Sequence, residues 1–404
     1  MRLENMPVEF QQALPLINTL KEAGYEAYFV GGSVRDVLLK RRIHDVDIAT
    51  SAYPEEVKAI FEKTIDIGIE HGTVLVLAED SQYEITTFRT EDVYVDYRRP
   101  SGVTFVRRLE EDLLRRDFTI NAFALAEDGQ IIDKFDGLTD LENKLIRAVG
   151  VADERFNEDA LRIMRALRFS ASLDFDIEEK TFEAMKVHAP LLEKISIERS
   201  FIELDKLLTS DYWRKGLRNF IDSKVYNHLT GLVGKEAQLE NILKNIKSDY
   251  FWFTTSEQAW AYLLINLEVE NCKDFLKKWN VSNEFTKKVT NIYEAYKIAL
   301  ERVWEVKDLY KYGFDAFMYA EGLLEAEERD IDTSLLPQLT MKLPIKSKSE
   351  LNINGQVLMN HFNRQGGIWI GQLISEVEEL VVNGQLENNQ EAILEYVEKE
   401  LKEE

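Results

Sequence analysis

The 404 residues of this chain, 45% of them hydrophobic, predict two to four domains with a real core, and the formal charge is −23. Cys272 is the only cysteine, which excludes an internal disulfide and a cysteine-based zinc site. No apolar run reaches membrane-spanning length and residues 1–10 lack a signal-peptide core, so we expect a soluble protein of the reducing cytoplasm without membrane contact.

The negative charge is unevenly distributed along the chain. Residues 301–404 hold 10 Lys and Arg against 21 Asp and Glu, whereas residues 98–168 hold 13 against 14, and 11 of those 13 are arginines. A strongly acidic chain argues against nucleic acid, because binding its backbone requires cations. The arginines nevertheless concentrate in one region, and arginine suits planar, bidentate recognition of phosphates and base edges.

The first predicted elements are a helix and a strand–turn–helix–strand unit. Residues 6–24 form an amphipathic pattern, and residues 28–30 a strand that runs into Gly31 and Gly32. Paired glycines before a helix let backbone N–H groups approach a phosphate. Asp45 and Asp47 lie one residue apart on the next strand and therefore point to the same face. Carboxylates in this arrangement attract a hard cation such as Mg²⁺, which indicates phosphoryl or nucleotidyl transfer.

The following segments complete an α+β region of about 150 residues. Pro54 opens a helix, and residues 73–78 and 82–88 predict a β-hairpin around residues 79–81. Residues 90–102 mix aromatic and charged residues and predict a mobile loop, before a short charged helix at 110–116. From about residue 151 onward helical periodicity dominates. We interpret the aromatic residues at helical spacing as helix-packing core, with stacking on RNA as the less favoured alternative: Trp252, Tyr262, Trp279 and Tyr296.

Two arginine-containing segments carry further candidates. Arg115 and Arg116 stand beside Asp117 at the start of a helix, where they can hold a triphosphate or a ribose, or simply form a surface ion-pair cluster. The segment 136–141, with a turn and a helix cap, is interpreted as a structural joint.

The segment 158–168 predicts a helix whose side chains recognise a nucleotide base. Asp159 and Arg162 are three residues apart, so they lie side by side on a helix. A carboxylate beside a guanidinium can accept from the amino group of cytosine or adenine and donate to the neighbouring ring nitrogen, while uracil and guanine present a carbonyl and are rejected. Arg165 and Arg168 can reach triphosphate oxygens. The alternative is a salt-bridge ladder that includes Glu158 and Arg162.

Taken together, these motifs closely resemble the bacterial class II CCA-adding enzymes, which are tRNA nucleotidyltransferases of the DNA polymerase β-like superfamily. The resemblance rests on five segments in this order: GGSVRD, DVDIAT, RRDFTINA, DGLTDL and EDALRIMRALRF. It implies a seahorse-shaped α+β protein with a nucleotidyltransferase head (1–150, a small mixed sheet plus helices) and all-helical neck (151–210), body (211–300) and tRNA-binding tail (301–404).

The resemblance also implies roles for individual residues. Asp45 and Asp47 match the Mg²⁺ ligands, and Glu84 is the candidate for a third catalytic carboxylate. The positions that match nucleotide contacts are Gly32, Arg35, Arg116, Asp159, Arg162, Arg165 and Arg168. The segment 195–199 matches a helix-junction stabiliser that is not catalytic.

The implied reaction is template-independent addition of C, C and A to the 3′ end of tRNA from CTP and ATP, by a homodimer or a monomer. The tRNA 3′-OH attacks the α-phosphorus, with two metal ions assisting. Poly(A) polymerase, split CC-adding or A-adding enzymes and a non-catalytic RNA-binding relative are the alternatives. The 90–102 loop favours full CCA addition or A-addition, and both Asp45 and Asp47 are present, which argues against a non-catalytic relative. The acidic charge predicts salt-sensitive tRNA binding or an acidic surface that faces away from the RNA.

Overall fold

The computed structural model describes residues 1–68, 71–78, 81–91, 94, 95, 99, 100 and 103–403. The chain divides into two compact units, Met1–Glu236 and Ala237–Glu404. Most of the predicted 90–102 loop and part of the hairpin turn, residues 79 and 80, lie outside the described residues.

Among the described residues, six of the thirteen strands form three two-stranded sheets. The other seven form the first unit's mixed sheet, in the order β11-β10-β1-β2-β5-β4-β3. Only β2 and β5 pair in parallel within this sheet. The strands are β1 Ala27–Val30, β2 Asp47–Thr50, β3 Thr64–Gly68, β4 Thr73–Ala78, β5 Ser81–Thr87, β6 Arg89–Glu91, β7 Tyr94–Val95, β8 Arg99–Pro100, β9 Val103–Phe105, β10 Phe123–Leu125, β11 Ile131–Asp133, β12 Leu145–Ile146 and β13 Asp176–Ile177. The predicted hairpin is confirmed as β4 and β5, and the small mixed sheet is confirmed with it.

In the described part of the first unit, ten α-helices surround this sheet or follow it. They are α1 Val8–Glu22, α2 Gly32–Leu38, α3 Pro54–Ile60, α4 Leu109–Leu114, α5 Gly137–Glu142, α6 Ala152–Glu158, α7 Leu161–Leu173, α8 Glu179–His188, α9 Ile197–Leu208 and α10 Trp213–Asp222. The turn at Gly31 and Gly32 follows β1 and opens α2. The turn at Asp136 and Gly137 follows β11 and opens α5.

The two faces of the sheet bury different clusters, and this alternation positions the site. Ile48 on β2 is fully buried in the cluster beneath α1, whereas its neighbour Ala49 belongs to the smaller cluster under α4. Because side chains alternate along a strand, Asp47 lies on the same face as Ala49. The helix α4 covers this face and ends immediately before Arg115. Packing of α4 therefore places Arg115 and Arg116 near the end of β2.

The predicted single helix over 158–168 is wrong at its start. The helix α6 ends at Glu158 and α7 begins at Leu161, and Asp159 is extended between them, with φ −139° and ψ 103°. The Asp159 carboxylate accepts a hydrogen bond from the Leu161 backbone N–H at 3.0 Å. An aspartate that satisfies a free N–H at a helix start acts as a cap, and this preference interrupts the helical pattern.

The long helix α7 is held by close packing against α10. An ideal Cβ added to Gly216 would lie 2.5 Å from the Ala171 Cβ and 3.2 Å from the Leu167 carbonyl oxygen. Gly216→Ala is therefore expected to destabilise the chain by about 1–3 kcal/mol through overpacking, read as a lower denaturant midpoint. Gly371→Ala is the matched control, because its added Cβ meets no atom within 4 Å and it lies inside a helix. An equal midpoint for both variants would contradict the packing argument.

The second unit is helical throughout its described residues. Its helices are α11 Glu236–Asn245, α12 Ser256–Asn266, α13 Cys272–Lys277, α14 Asn283–Glu301, α15 Val306–Tyr312, α16 Phe314–Ala326, α17 Leu335–Lys342, α18 Gly355–Phe362, α19 Ile368–Val382 and α20 Gln390–Glu403. Tyr262, Trp279 and Tyr296 are buried as predicted, but Trp252 is 60% exposed, so its assignment to the core is wrong. In the described part of the chain no helix is both long and apolar enough to cross a membrane.

Candidate active site

A cavity of about 490 Å³ opens in the first unit where the sheet, α4 and α7 meet. Its lining contains seven arginines and three aspartates, which favours a polyanionic ligand. The lining residues are Gly31, Gly32, Arg35, Asp47, Arg115, Arg116, Asp117, Asn121, Asp159, Leu161, Arg162, Arg165, Arg168, Phe169 and Arg199. Of the ten predicted site residues, eight line this cavity; Asp45 and Glu84 do not.

The floor of the cavity requires a glycine at position 31. Gly31 has φ +79°, a left-handed conformation that favours glycine. An added Cβ would lie 3.3 Å from the Asp47 Oδ2 and 3.4 Å from the Arg116 Nη1. Because Gly31 has no side chain, its backbone lies close to the Asp47 carboxylate and the Arg116 guanidinium. The absence of a side chain leaves room there for a phosphate of a ligand.

The carboxylates at the end of β2 are Asp47, Glu84 and Asp45. Asp47 pairs in register with Glu84 across the parallel strands, so the two side chains lie on one face of the sheet. Burial raises the pKa of Asp47, as do the nearby charges of Glu84 and Asp45, while Arg116 opposes them. The prediction that Asp45 shares the strand is wrong, because β2 begins at Asp47 and Asp45 lies in the irregular segment before it.

This arrangement fits a divalent cation, because Asp47 lies in register with Glu84 at the end of the parallel strands. A cation there would offset both the desolvation and the nearby negative charge that raise the pKa of Asp47. In the described part of the chain no group of three or more His, Cys, Asp or Glu side chains is gathered so as to hold a metal by itself. Mg²⁺ is commonly bound by one or two carboxylates together with substrate phosphates, so a pair of carboxylates is sufficient.

A buried carboxylate, Asp112, fixes the arginine pair. Asp112 is 1% exposed; its Oδ1 accepts from the Arg115 Nε at 2.9 Å, and its Oδ2 accepts from the Arg116 Nη2 at 3.1 Å. Burial alone would raise the pKa of Asp112, but the two guanidiniums hold it below its usual range. The buried Arg116 Nε has no hydrogen-bond partner within the described residues. The ion-pair cluster considered from the sequence therefore exists, but it lies at the wall of the cavity.

A second buried carboxylate, Asp117, connects the segment after α4 to α7. Its Oδ2 accepts from the Arg165 Nε at 2.8 Å, and its Oδ1 accepts from the Asn121 side chain at 3.0 Å. Burial opposes ionisation, yet Arg165 and Asn121 hold the pKa of Asp117 at about 2. Asn121 also accepts from the Arg35 Nη1 at 2.6 Å, so three elements share one polar network.

Phe169 gathers three guanidiniums at the cavity. Its ring centroid lies 4.0 Å from the Arg168 Cζ, 5.1 Å from the Arg35 Cζ and 5.5 Å from the Arg165 Cζ. Cation–π attraction orients planar guanidiniums, which otherwise repel one another. Glu203 on α9 offsets part of this charge: its Oε2 accepts from the Arg168 Nε at 2.6 Å, and its Oε1 lies 3.9 Å from the Arg165 Nη1.

Asp159 and Arg162 both line the cavity, although they do not share a helix. The Asp159 Oδ2 accepts from the Arg199 Nη2 at 2.6 Å. The Arg162 Nη1 donates to Glu158 at 2.7 Å, and its Nη2 donates to the Arg115 carbonyl at 2.8 Å. The salt bridge between Glu158 and Arg162, the alternative raised from the sequence, is therefore present, and Asp159 and Arg162 nevertheless line the cavity.

Several residues of the site were not found from the sequence. Asp112 stands three and four residues before Arg115 and Arg116, a helical spacing that could have indicated the pairing. Glu203 is 35 residues from Arg168, and no local pattern connects them. Arg199 lies in the segment expected only to stabilise a helix junction; it does bind Asp159 there, and it also lines the cavity.

Three family models match successive parts of the chain. The poly A polymerase head domain matches residues 27–147, the probable RNA and SrmB-binding site of polymerase A matches residues 174–231, and the putative domain 2 of tRNA nucleotidyltransferases matches residues 251–397. The cavity residues from Gly31 to Asn121 lie within the first of these segments and Arg199 lies within the second, whereas those from Asp159 to Phe169 lie between the two.

Whole-chain comparisons give the same family. A CCA-adding enzyme of Streptococcus agalactiae is 58% identical, with 98% of each chain covered. One from Streptococcus pyogenes is 56% identical, with 99% of this chain and 100% of the relative covered. The crystal structure of the Bacillus stearothermophilus CCA-adding enzyme in complex with CTP is 40% identical with a TM-score of 0.86, and 98% of each chain is covered.

Proposed function

Since this chain belongs to the bacterial CCA-adding enzymes, we propose that the arginine-lined cavity of its first unit is where the nucleotidyl groups of CTP and ATP are transferred to tRNA, with release of pyrophosphate. The activity is template-independent addition of C, C and A to the tRNA 3′ end, a nucleotidyl transfer. The observation that carries the assignment of the site is the convergence of seven arginines on a cavity that ends at Asp47.

We assign the reacting end of the cavity to Asp47, with Asp45 and Glu84 as its supporting carboxylates. The family uses divalent metal, and we propose Mg²⁺, held by Asp47 and Asp45. When bound, the metal lowers the pKa of the attacking hydroxyl and stabilises charge on the leaving pyrophosphate. Gly31 and Gly32 leave backbone space for the phosphates, and Arg116 lies beside Asp47, where its charge favours the triphosphate.

We assign the α7 end of the cavity to the rest of the nucleotide. Arg165 and Arg168, held by Asp117 and Glu203, face the cavity and suit phosphate or ribose oxygens. Asp159 accepts from the amino group of cytosine or adenine, and Arg162 donates to the neighbouring ring nitrogen. Arg35 donates a hydrogen bond to Asn121 and lies over the ring of Phe169, and so forms part of the cavity wall.

We retain the proposed division into head (1–150), neck (151–210), body (211–300) and tRNA-binding tail (301–404). The three matched family models follow the same order, at 27–147, 174–231 and 251–397. Because the substrate is tRNA, we also propose a cytoplasmic location. Assembly as a homodimer or a monomer stays a prediction.

The experiment that tests the function supplies purified protein with a tRNA transcript that lacks its CCA end, together with CTP, ATP or both. We expect growth by two nucleotides with CTP alone and by three with both, followed by arrest, measured on a sequencing gel. Long A-tails, or arrest after two nucleotides when both are present, would contradict full CCA addition.

Glu203 is expected to position the phosphate-binding arginines without touching the substrate. It is 6% exposed and bonded to Arg168, so Glu203→Gln removes the charge that orients that guanidinium. We expect KM for CTP and ATP to rise roughly ten-fold, the effect of about 1.4 kcal/mol, with a smaller change in kcat. Inhibition by CMP should weaken less than CTP binding, because CMP carries a single phosphate.

The control for this prediction is Glu183→Gln, a surface substitution on α8 that leaves the cavity untouched. A loss of kcat with unchanged KM, or equal weakening of CTP and CMP, would show that Glu203 supports the fold and not the phosphate site.

A further inference from the structure

Arg155 lies outside the lining of the nucleotide cavity, but its side chain connects the ends of two helices that lead into it. It stands in the last turn of α6, and only 13% of its side chain is exposed. Its Nη1 donates to the carbonyl of Leu114, the last residue of α4, at 2.9 Å. Its Nη2 donates to the Oε1 of Glu158, the last residue of α6. Because its N–H groups form a planar fork, one guanidinium bridges both acceptors and joins the ends of α4 and α6.

The groups that Arg155 binds also hold Arg162, one of the two residues assigned to base recognition. The Arg162 Nη1 donates to the Glu158 Oε2 at 2.7 Å, and its Nη2 donates to the Arg115 carbonyl at 2.8 Å. Carbonyl groups at the end of a helix have no donor within it, and the two arginines donate to two successive ones at the end of α4. Arg162 is only 7% exposed, so protein groups surround its guanidinium. Loss of the Arg155 guanidinium would therefore loosen both Glu158 and the end of α4, which bind Arg162.

The carbonyl of Arg155 contacts both residues assigned to base recognition. It accepts from the Asp159 backbone N–H at 3.3 Å and from the Arg162 Nη1 at 3.1 Å. A carbonyl oxygen has two lone pairs and can serve both donors. Substitution of the side chain leaves this carbonyl in place, so a variant at position 155 tests the guanidinium by itself.

The orientation of Arg162 decides which bases its N–H groups can bind. In cytosine and adenine the ring nitrogen beside the amino group is an acceptor, whereas the corresponding nitrogen of uracil and guanine carries a hydrogen. A guanidinium held at this position meets an acceptor in the first pair of bases and a second donor in the other pair. Two donors that face each other in a buried site both stay unpaired, which is costly. A guanidinium that can turn away would lower this cost and admit the wrong bases.

We propose that Arg155 is a positioning residue for nucleotide selection, which fixes Arg162 through Glu158 and the end of α4 in the orientation that accepts cytosine and adenine. The proposal rests on the proposed function, because it takes Arg162 as a residue that recognises the base. Arg155 acts through other side chains and touches neither the base nor the phosphates. Its loss should therefore change the choice of nucleotide more than the rate of transfer.

The test uses two substitutions of Arg155. Arg155→Met removes the N–H groups and keeps an unbranched stem. We expect the preference for CTP over UTP, in kcat/KM, to fall roughly ten-fold, and the preference for ATP over GTP to fall with it. Arg155→Lys keeps a positive charge beside Glu158, but an ammonium group does not provide a planar fork for two acceptors. For this variant we expect a smaller loss of preference, about three-fold.

The matched control is Arg107→Met, because Arg107 forms the same kind of bridge elsewhere in the first unit. Its Nη1 donates to the Ser51 carbonyl at 2.6 Å and to the Glu56 Oε2 at 2.8 Å, and it does not line the cavity. We expect both nucleotide preferences of this variant to equal those of the wild type. Preferences are measured with single nucleotides on tRNA that lacks its CCA end, and the melting temperature of each protein is recorded.

The outcomes separate this proposal from the function on which it rests. Wild-type protein that uses CTP and UTP equally would overturn the assigned base site, and the role of Arg155 with it. A wild-type preference that both Arg155 variants retain would overturn the role of Arg155 alone, even if they melt at a lower temperature, since Arg155 would then only join two helices. If Arg155→Met does not fold, Arg155→Lys decides between these results. A lower preference in the Arg155 variants and an unchanged one in Arg107→Met would support the proposal.

Discussion

Asp47→Asn is expected to abolish nucleotide addition while leaving tRNA binding intact. The substitution keeps the shape of the side chain but removes the charge at the point where the glycine turn, Arg116 and Glu84 converge. Metal-assisted transfer draws several kcal/mol of stabilisation from its ion, and each 1.4 kcal/mol is a factor of ten, so kcat should fall by about 10³-fold or more. Removal of divalent metal from the wild-type protein should give the same loss.

The stability of this variant distinguishes a catalytic role from a structural one. Since burial and Glu84 raise the pKa of Asp47, its charged form is disfavoured in the folded state, and a neutral side chain should not lower the melting temperature. Asp66→Asn is the matched control, an exposed strand aspartate that pairs with Lys58 outside the cavity. Activity within ten-fold of wild type, or loss of tRNA binding, would show that the reacting end of the cavity is misassigned.

The local part of the site could be predicted because it follows from short-range rules. Alternation along a strand places Ile48 in the core and Asp47 on the opposite face. The paired glycines predict a tight turn into a helix, and Gly31 adopts the left-handed conformation that such a turn uses. The register of β2 against β5, which sets Glu84 opposite Asp47, requires long-range pairing that no local pattern contains.

The remaining parts of the site depend on burial and on competing local preferences. The helical spacing of apolar and charged residues in α7 continues upstream through Asp159. A prediction from this spacing alone therefore begins the helix too early. In the fold the Asp159 side chain bonds the Leu161 N–H and begins a new helix instead. Likewise, the sequence holds 73 acidic residues, and the packed structure is needed to show that Asp112, Asp117 and Glu203 are buried and hold arginines of the cavity.

The break before α7 gives Asp159 two functions that substitution can separate. Its Oδ1 accepts from the Leu161 N–H at 3.0 Å and its Oδ2 from the Arg199 Nη2 at 2.6 Å, so the carboxylate is held at the cavity wall by one bond to each oxygen. Asp159→Ala removes both bonds and is expected to cost about 1 kcal/mol of stability through the lost cap. Asp159→Asn keeps an oxygen for the cap and offers an N–H₂ group to the ligand.

The expected effect of these variants is on the choice of nucleotide. A carboxylate rejects uracil and guanine because their carbonyl oxygens would face it unpaired, so Asp159→Ala should reduce the preference for CTP over UTP by about 10²-fold or more in kcat/KM. Asp159→Asn should favour UTP further, since its amide donates to the uracil carbonyl. Asp153→Asn, an exposed substitution on α6, is the control. If both Asp159 variants kept the wild-type preference for CTP over UTP, Asp159 would act only as a helix cap and a partner of Arg199. Other residues would then recognise the base.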